Sequence, residues 1–79
     1  MNEMNEKITR LAEAAKEMAE LLKMRGVCRI GCAADGVPLV QLTRELWERM
    51  FPGEEPRQEG LRFGVYVDGV FFYYFDVRA

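Results

Sequence analysis

The chain has 79 residues, of which 49% are hydrophobic and 30% are charged, and its formal net charge is −2. This length and composition predict one soluble globular domain over residues 1–79, without the run of roughly 18 apolar residues that a membrane span needs. The sequence contains no His and no Ser, which excludes Ser-His-Asp and Cys-His catalytic arrangements within one chain. Its near-balanced charge argues against non-specific nucleic-acid binding, which depends on a basic surface.

A domain this small needs support beyond its own core, since below roughly 80 residues one core seldom contributes more than a few kcal/mol. Cys28 and Cys32 would lie about 13 Å apart on an extended strand, too far for a disulfide, so we expect buried free thiols. Without His, a metal site would have to recruit carboxylates or a second chain, and we expect neither a metal nor a cofactor. Homo-oligomerisation is therefore the support that the sequence favours.

Residues 3–25 have the periodicity of an amphipathic helix. Apolar residues recur at alternating spacings of four and three, as in a coiled-coil seam. The seam consists of Met4, Ile8, Leu11, Ala15, Met18 and Leu22. Additional alanines widen the apolar stripe, so we expect this helix to pack on its own sheet, with a coiled coil as the alternative.

From residue 27 the apolar period changes to two, which predicts a hairpin over residues 27–42 with Asp35-Gly36 in its turn. The alternation in its first strand places Cys28, Ile30 and Cys32 on one face, opposite Val27. Residues 43–51 predict a short helix that begins after a threonine N-cap. Residues 52–60 are polar and contain Pro and Gly, which predicts an exposed loop.

Residues 61–77 predict a second hairpin, because Asp68-Gly69 is a strong two-residue turn signal. Its second strand carries large apolar side chains on both faces, so either a helix covers each face or one face contacts another subunit. In so short a chain we favour the subunit contact. The elements together predict an α+β fold of order αββαββ, with the long first helix packed on a small antiparallel sheet.

The candidate binding residues are of two kinds. Arginine pairs bidentately with phosphate or carboxylate, and tyrosine rings stack on bases. The candidate ligand-binding residues are Arg29, Arg62, Arg78, Tyr66, Tyr73 and Tyr74. The alternative is that these arginines are surface charges paired with Asp76 or Glu48. Large aromatic residues suit a protein interface, and those candidates are Trp47, Phe51, Phe71, Phe72 and Phe75.

Two segments resemble small proteins encoded by bacteriophages and prophages. The first, Val40-Gln41-Leu42-Thr43, leads into the short helix, and the second is Val67-Asp68-Gly69-Val70-Phe71-Phe72. The resemblance covers residues 37–75 and implies a non-enzymatic oligomer that inhibits or adapts a bacterial host or defence protein by direct binding. Some phage proteins sequester nucleotide-derived immune signals between subunits, so a sponge for such a signal is the alternative.

A structural subunit of an assembly is the third function that the sequence leaves open. We expect no enzymatic activity and no catalytic residues, because the acidic side chains form no convincing cluster. The N-terminal segment lacks the basic start and apolar core of a secretory signal. This predicts a cytoplasmic protein, located in the bacterial host under the phage interpretation, with no membrane attachment.

Overall fold

The computed structural model describes residues 3–76, which form two helices and a five-stranded sheet. The helices are α1 (Glu3–Leu22) and α2 (Arg44–Met50). The strands are β1 (Val27–Cys32), β2 (Pro38–Leu42), β3 (Arg57–Glu59), β4 (Arg62–Val67) and β5 (Val70–Phe75). The α+β class expected from the sequence is confirmed. Residue 77, the expected end of the second hairpin, lies outside the described residues.

The strands are ordered β1-β2-β5-β4-β3 across the sheet. All neighbouring strands are antiparallel except β2 and β5, which are parallel. The parallel pair forms because α2, β3 and β4 lie between these two strands and provide the long crossover that parallel pairing requires. The additional strand β3 lies inside the segment expected to be a loop, where its three polar residues pair with β4.

A bulge in β1 changes which residues share a face. The register with β2 shifts between Val27 and Arg29, so an extra residue, Cys28, interrupts the alternation. Val27 therefore lies on the same face as Ile30 and packs against the core, whereas we expected it on the opposite face. The expectation of buried thiols was also wrong, because both cysteines are exposed on this edge strand.

One face of the sheet, here called the covered face, packs against α2. Thr43 caps this helix, since its hydroxyl accepts a hydrogen bond from the Leu46 backbone amide. Trp47 is only 2% exposed and contacts the ring of Tyr74 at a centroid distance of 5.1 Å. Its indole Nε1 donates to the Phe72 carbonyl oxygen at 2.9 Å. Trp47, the largest side chain of α2, is therefore buried while its N–H group keeps a hydrogen-bond acceptor.

The other face of the sheet, here called the open face, has no helix packed over its centre among the described residues. It carries Phe71, Tyr73 and Phe75 from β5, because successive strand residues alternate between faces. Phe71 is 1% exposed and Tyr73 is 4% exposed. Their rings stack on each other at 5.6 Å, and Tyr66 lies 4.6 Å from Phe71. These aromatic side chains thus bury one another without a covering helix.

Gly64 of β4 allows the two central strands to approach closely beside Tyr73. A Cβ atom at this position would lie 2.8 Å from both the Cα and the Cβ of Tyr73 and would also collide with the Phe72 carbonyl oxygen. Such separations are far below van der Waals contact, so only glycine fits without moving β5. Tyr73 can therefore occupy its position on the open face only because its cross-strand partner, Gly64, has no side chain.

Helix α1 differs from the expectation in its packing. It contacts β1, and none of its residues is buried. The chain extends over 52 × 27 × 23 Å with a radius of gyration of 14.9 Å, compared with about 12 Å for a compact chain of this length. Neither described helix combines the length and apolar character needed to cross a membrane. The apolar stripe of α1 is therefore left in contact with solvent.

Candidate anion-binding site

A pocket with a volume of about 320 Å³ lies on the open face beside β1. It is lined by Arg29, Gly31, Cys32, Ala33, Ala34, Leu39, Arg62 and Tyr73. Its volume is near the lower end of those found for small-molecule sites. The small residues that follow Arg29 leave space, and the two arginines supply positive charge. The pocket therefore combines room for a small molecule with donors that suit an anion.

The sheet register brings Arg29 and Tyr73 together. Arg29 is paired with Gln41 of β2, and Gln41 is paired with Tyr73 of β5. Paired residues share a face, and neighbouring strands are spaced by about 4.8 Å, so the Cα atoms of Arg29 and Tyr73 are about 10 Å apart. An arginine side chain can cross much of that separation. The parallel pairing of β2 with β5 is thus what places β1 within reach of the aromatic residues.

Arg62 reaches the same pocket from the opposite side. It lies on β4, and its guanidinium carbon is 5.1 Å from the centroid of the Tyr73 ring. A cation at this distance over a tyrosine ring is attracted by the negative face of the π system. The Arg62 head group is therefore held over Tyr73 instead of moving freely in solvent, and less conformational entropy is lost when it binds an anion.

Neither Arg29 nor Arg62 forms an ion pair with a carboxylate of residues 3–76. Among the described arginines, it is Arg44 that pairs with Glu48 and Asp76, at 2.8 Å and 3.7 Å respectively. The hydrogen bond to Glu48 is the main reason that the pKa of Arg44 is raised, and the nearby charges of Tyr74, Glu48 and Asp76 add to it. Within the described part of the chain, neither guanidinium of the pocket is thus neutralised by a direct ion pair.

The two other tyrosines among the candidate ligand-binding residues lie away from this pocket. The Tyr66 hydroxyl donates to Glu59 at 3.0 Å, which raises the pKa of Tyr66 because the neutral phenol is the donor. Arg57 lies over the Tyr66 ring and pairs with the same carboxylate. Tyr74 is buried against α2 on the covered face. Arg78 lies outside the described residues, so the structure brings together three of the six candidates.

The aromatic candidates for a protein interface are mostly interior. Trp47 and Phe71 are buried, and Phe51 and Phe72 are half-buried with ring centroids 5.7 Å apart. Phe75 is the exception, since 39% of it is exposed on the open face. Four of these five residues are therefore at least half-buried within this chain, and their use as a protein interface stays a prediction.

Sequence reasoning missed the small residues of the pocket. Gly31, Ala33 and Ala34 contribute space, not charge, whereas residue chemistry indicates only side chains that carry charge or a reactive or aromatic group. The available signal was the run of small residues from Gly31 to Ala34 immediately after Arg29. Leu39 was missed because its position on the wall of the pocket follows from the pairing of β2 with β5.

A second groove of about 280 Å³ is also lined by two arginines, Arg25 and Arg49. It differs from the first because the carboxylate of Glu45 lines it as well. An acidic side chain beside the arginines reduces the attraction for an anion. In the described part of the chain, no three Cys, Asp or Glu residues are grouped to hold a metal ion. The pocket between Arg29 and Arg62 is therefore the better candidate for an anion site.

Comparison of the chain with protein-family models, with curated proteins and with solved structures finds no match. The resemblance of residues 37–75 to phage-encoded proteins stays a prediction. The chemistry of the pocket is thus the main guide to what the protein binds.

Proposed function

We propose that the chain is a small non-enzymatic binding protein that holds a phosphate- or carboxylate-bearing small molecule between Arg29 and Arg62. The observation that carries this proposal is that two arginines line one pocket and that neither pairs with a carboxylate of residues 3–76. A hydrogen bond to a charged group contributes about 1.5–3 kcal/mol. Two arginines that each donate such a hydrogen bond provide enough binding free energy to favour an anion that is small enough to fit the pocket.

Nucleotides are the ligand class that the surroundings of the pocket favour. Phe75 is the cross-strand partner of Arg62 and has 39% of its surface exposed on the same face. A phosphate held by Arg62 would place the rest of a nucleotide near this apolar ring, and bases stack readily on aromatic side chains. The sequence predicts that Tyr73 stacks on a base, but Arg62 already occupies one face of its ring. In this proposal Tyr73 therefore positions Arg62, and Phe75 is the ring available to the base.

The lining supports binding over catalysis. Arginine holds its charge at every accessible pH and does not act as a general base. Among residues 3–76, Cys32 and Tyr73 are the only other ionisable side chains that line the pocket, and no carboxylate lines it with them to take a proton. Sequestration of an anionic metabolite, such as a nucleotide-derived signal, therefore fits this pocket better than inhibition through the buried aromatic residues.

Calorimetric titration of the full chain tests this proposal. The panel contains linear and cyclic nucleotides, inorganic phosphate and a dicarboxylate, so that binding of a nucleotide is distinguished from binding of any small anion. We expect a nucleotide to bind more tightly than phosphate, and we expect Arg29→Gln and Arg62→Gln each to weaken binding by about 10-fold to 100-fold, the equivalent of one lost charged hydrogen bond.

The matched control is Arg49→Gln, which removes the same charge from the second groove. We expect this variant to bind the ligand with unchanged affinity. The proposal fails if no member of the panel releases or absorbs heat. It also fails if Arg49→Gln weakens binding as much as Arg62→Gln, since the attraction would then come from the overall charge and not from the pocket.

A further inference from the structure

The apolar seam of α1 is exposed along the whole helix. Leu11 at its centre is 70% exposed and Ile8 is 58% exposed. The chain as a whole exposes 6403 Å², whereas a compact chain of 9.1 kDa exposes about 4,900 Å². The excess of about 1,500 Å² is larger than the roughly 800 Å² that each partner buries in a standard protein interface. The chain thus has enough unburied surface for a stable dimer.

We propose that α1 packs along the α1 helix of a second copy of the chain in antiparallel orientation. Exposed apolar stripes at the coiled-coil period are buried when two helices lie side by side. A second copy fits because the seam is complementary to itself when one helix is reversed. The helix projects from the sheet, so this interface leaves the pocket between Arg29 and Arg62 unchanged and is independent of the proposed function.

Side-chain volume favours the antiparallel orientation. Centring the pair on Glu13 places each seam residue opposite a different seam residue of the second copy. The pairs are Met4 with Leu22, Ile8 with Met18, and Leu11 with Ala15. A parallel pair would instead place Ala15 against Ala15 and leave a void, and packing voids are destabilising. In the antiparallel pair, Leu11 fills the space beside Ala15.

The residues that flank the seam allow close approach of the two helices. Ala12, Ala14 and Ala19 lie beside the seam and carry neither charge nor bulk. The acidic residues Glu3 and Glu6 are in the first turn, whereas Lys23 and Arg25 follow the C-terminal end. The last turn of the helix itself has no basic residue, and Lys23 pairs with Glu20 of its own chain, so the side-chain charges do not decide the orientation. The helix dipoles do favour one orientation, because antiparallel pairing opposes them and parallel pairing would align them.

Sedimentation equilibrium or light scattering of the full chain tests the interface. We expect the chain to have twice its 9.1 kDa mass at about 100 μM, and we expect Leu11→Glu to be a monomer because it places two carboxylates in the seam. Thr9→Glu is the control, since it adds the same charge on the polar side of α1. Trp47 fluorescence should be native in both variants, because Leu11 is exposed in the single chain.

The proposal is overturned if the unmodified chain is monomeric at this concentration or if Leu11→Glu still forms a dimer. Orientation is tested in a Cys28→Ser, Cys32→Ser background, where both replaced thiols are exposed. We expect a mixture of the Met4→Cys and Leu22→Cys proteins to oxidise to a mixed disulfide dimer that mass spectrometry identifies. If Met4→Cys instead crosslinks to itself as readily, the antiparallel orientation is wrong.

Discussion

The two helices are both amphipathic, yet they differ in what covers their apolar faces. Helix α2 has seven residues and buries Trp47 against the sheet. Helix α1 has 20 residues and buries none. The shorter helix is joined to the core by a side-chain hydrogen bond from its indole and by ring contacts with Phe51 and Tyr74. Contact with β1 gives the longer helix no comparable burial.

The difference shows that an amphipathic pattern indicates that a face will be buried, but not what will bury it. Helical stability in proteins comes largely from tertiary packing of the apolar face. For α2 that packing comes from the same chain. For α1 the nearest sheet residues leave the seam uncovered, and under the proposed pairing a second copy of the chain covers it. Under that proposal, α2 stabilises the sheet and α1 mediates association.

The largest expected effect is that of Trp47→Ala on the stability of the single chain. The substitution removes a side chain that is 2% exposed and leaves a large cavity under α2, so we expect a loss of about 3–5 kcal/mol in the free energy of unfolding. The loss is measured by urea denaturation followed by circular dichroism. A loss below 1 kcal/mol would contradict the role of Trp47 as the main contact of α2 with the sheet.

A smaller effect is expected from Thr43→Ala at the start of α2. The Thr43 hydroxyl accepts a hydrogen bond from the Leu46 amide at 3.2 Å, and loss of such a cap costs about 1 kcal/mol. Thr9→Ala on α1 is the matched comparison, because its hydroxyl is exposed and donates only to the Asn5 carbonyl oxygen. Equal destabilisation by both substitutions in urea denaturation would mean that the two helices contribute alike to the folded sheet.

The smallest effect is expected from Leu11→Ala in dilute solution. Below the concentration at which light scattering detects a dimer, the substitution removes a side chain that is 70% exposed. We therefore expect the free energy of unfolding to change by less than about 0.5 kcal/mol, as for other surface positions. Destabilisation of 2 kcal/mol or more in the monomer would show that α1 packs on its own sheet after all.

The fold was predictable where the signal is local. The Thr43 cap and the apolar residues after it give the position of α2. Asp68-Gly69 forms the turn between β4 and β5, with positive φ at both residues, as a type I′ hairpin requires. Neither signal depends on distant partners. The bulge at Cys28 was not predictable in this way, since one inserted residue changes the phase of the alternation without changing the composition.

Long-range pairing explains what was missed. The polar segment that becomes β3 shows no strand pattern, and it is extended because β4 supplies its hydrogen-bonding partners. For the site, residue type made Arg29, Arg62 and Tyr73 candidates, and the structure places all three in the lining of one pocket. It did not separate Tyr73 from Tyr74, which point to opposite faces of β5 because strand residues alternate. Only the sheet topology distinguishes the tyrosine beside the arginines from the one beside Trp47.

The parallel pairing of β2 with β5 has a consequence for the order of folding. Strands β4 and β5 are joined by a two-residue turn, whereas all of α2, β3 and β4 separate β2 from β5. Closing the longer loop costs more chain entropy, so we expect the β4–β5 hairpin to form in the transition state and β2 to dock afterwards. In stopped-flow experiments, Gly69→Ala should mainly slow folding and Leu39→Ala should mainly accelerate unfolding. Because Arg29 reaches the pocket only through β2, the anion site would be the last part of the sheet to assemble and the first to open.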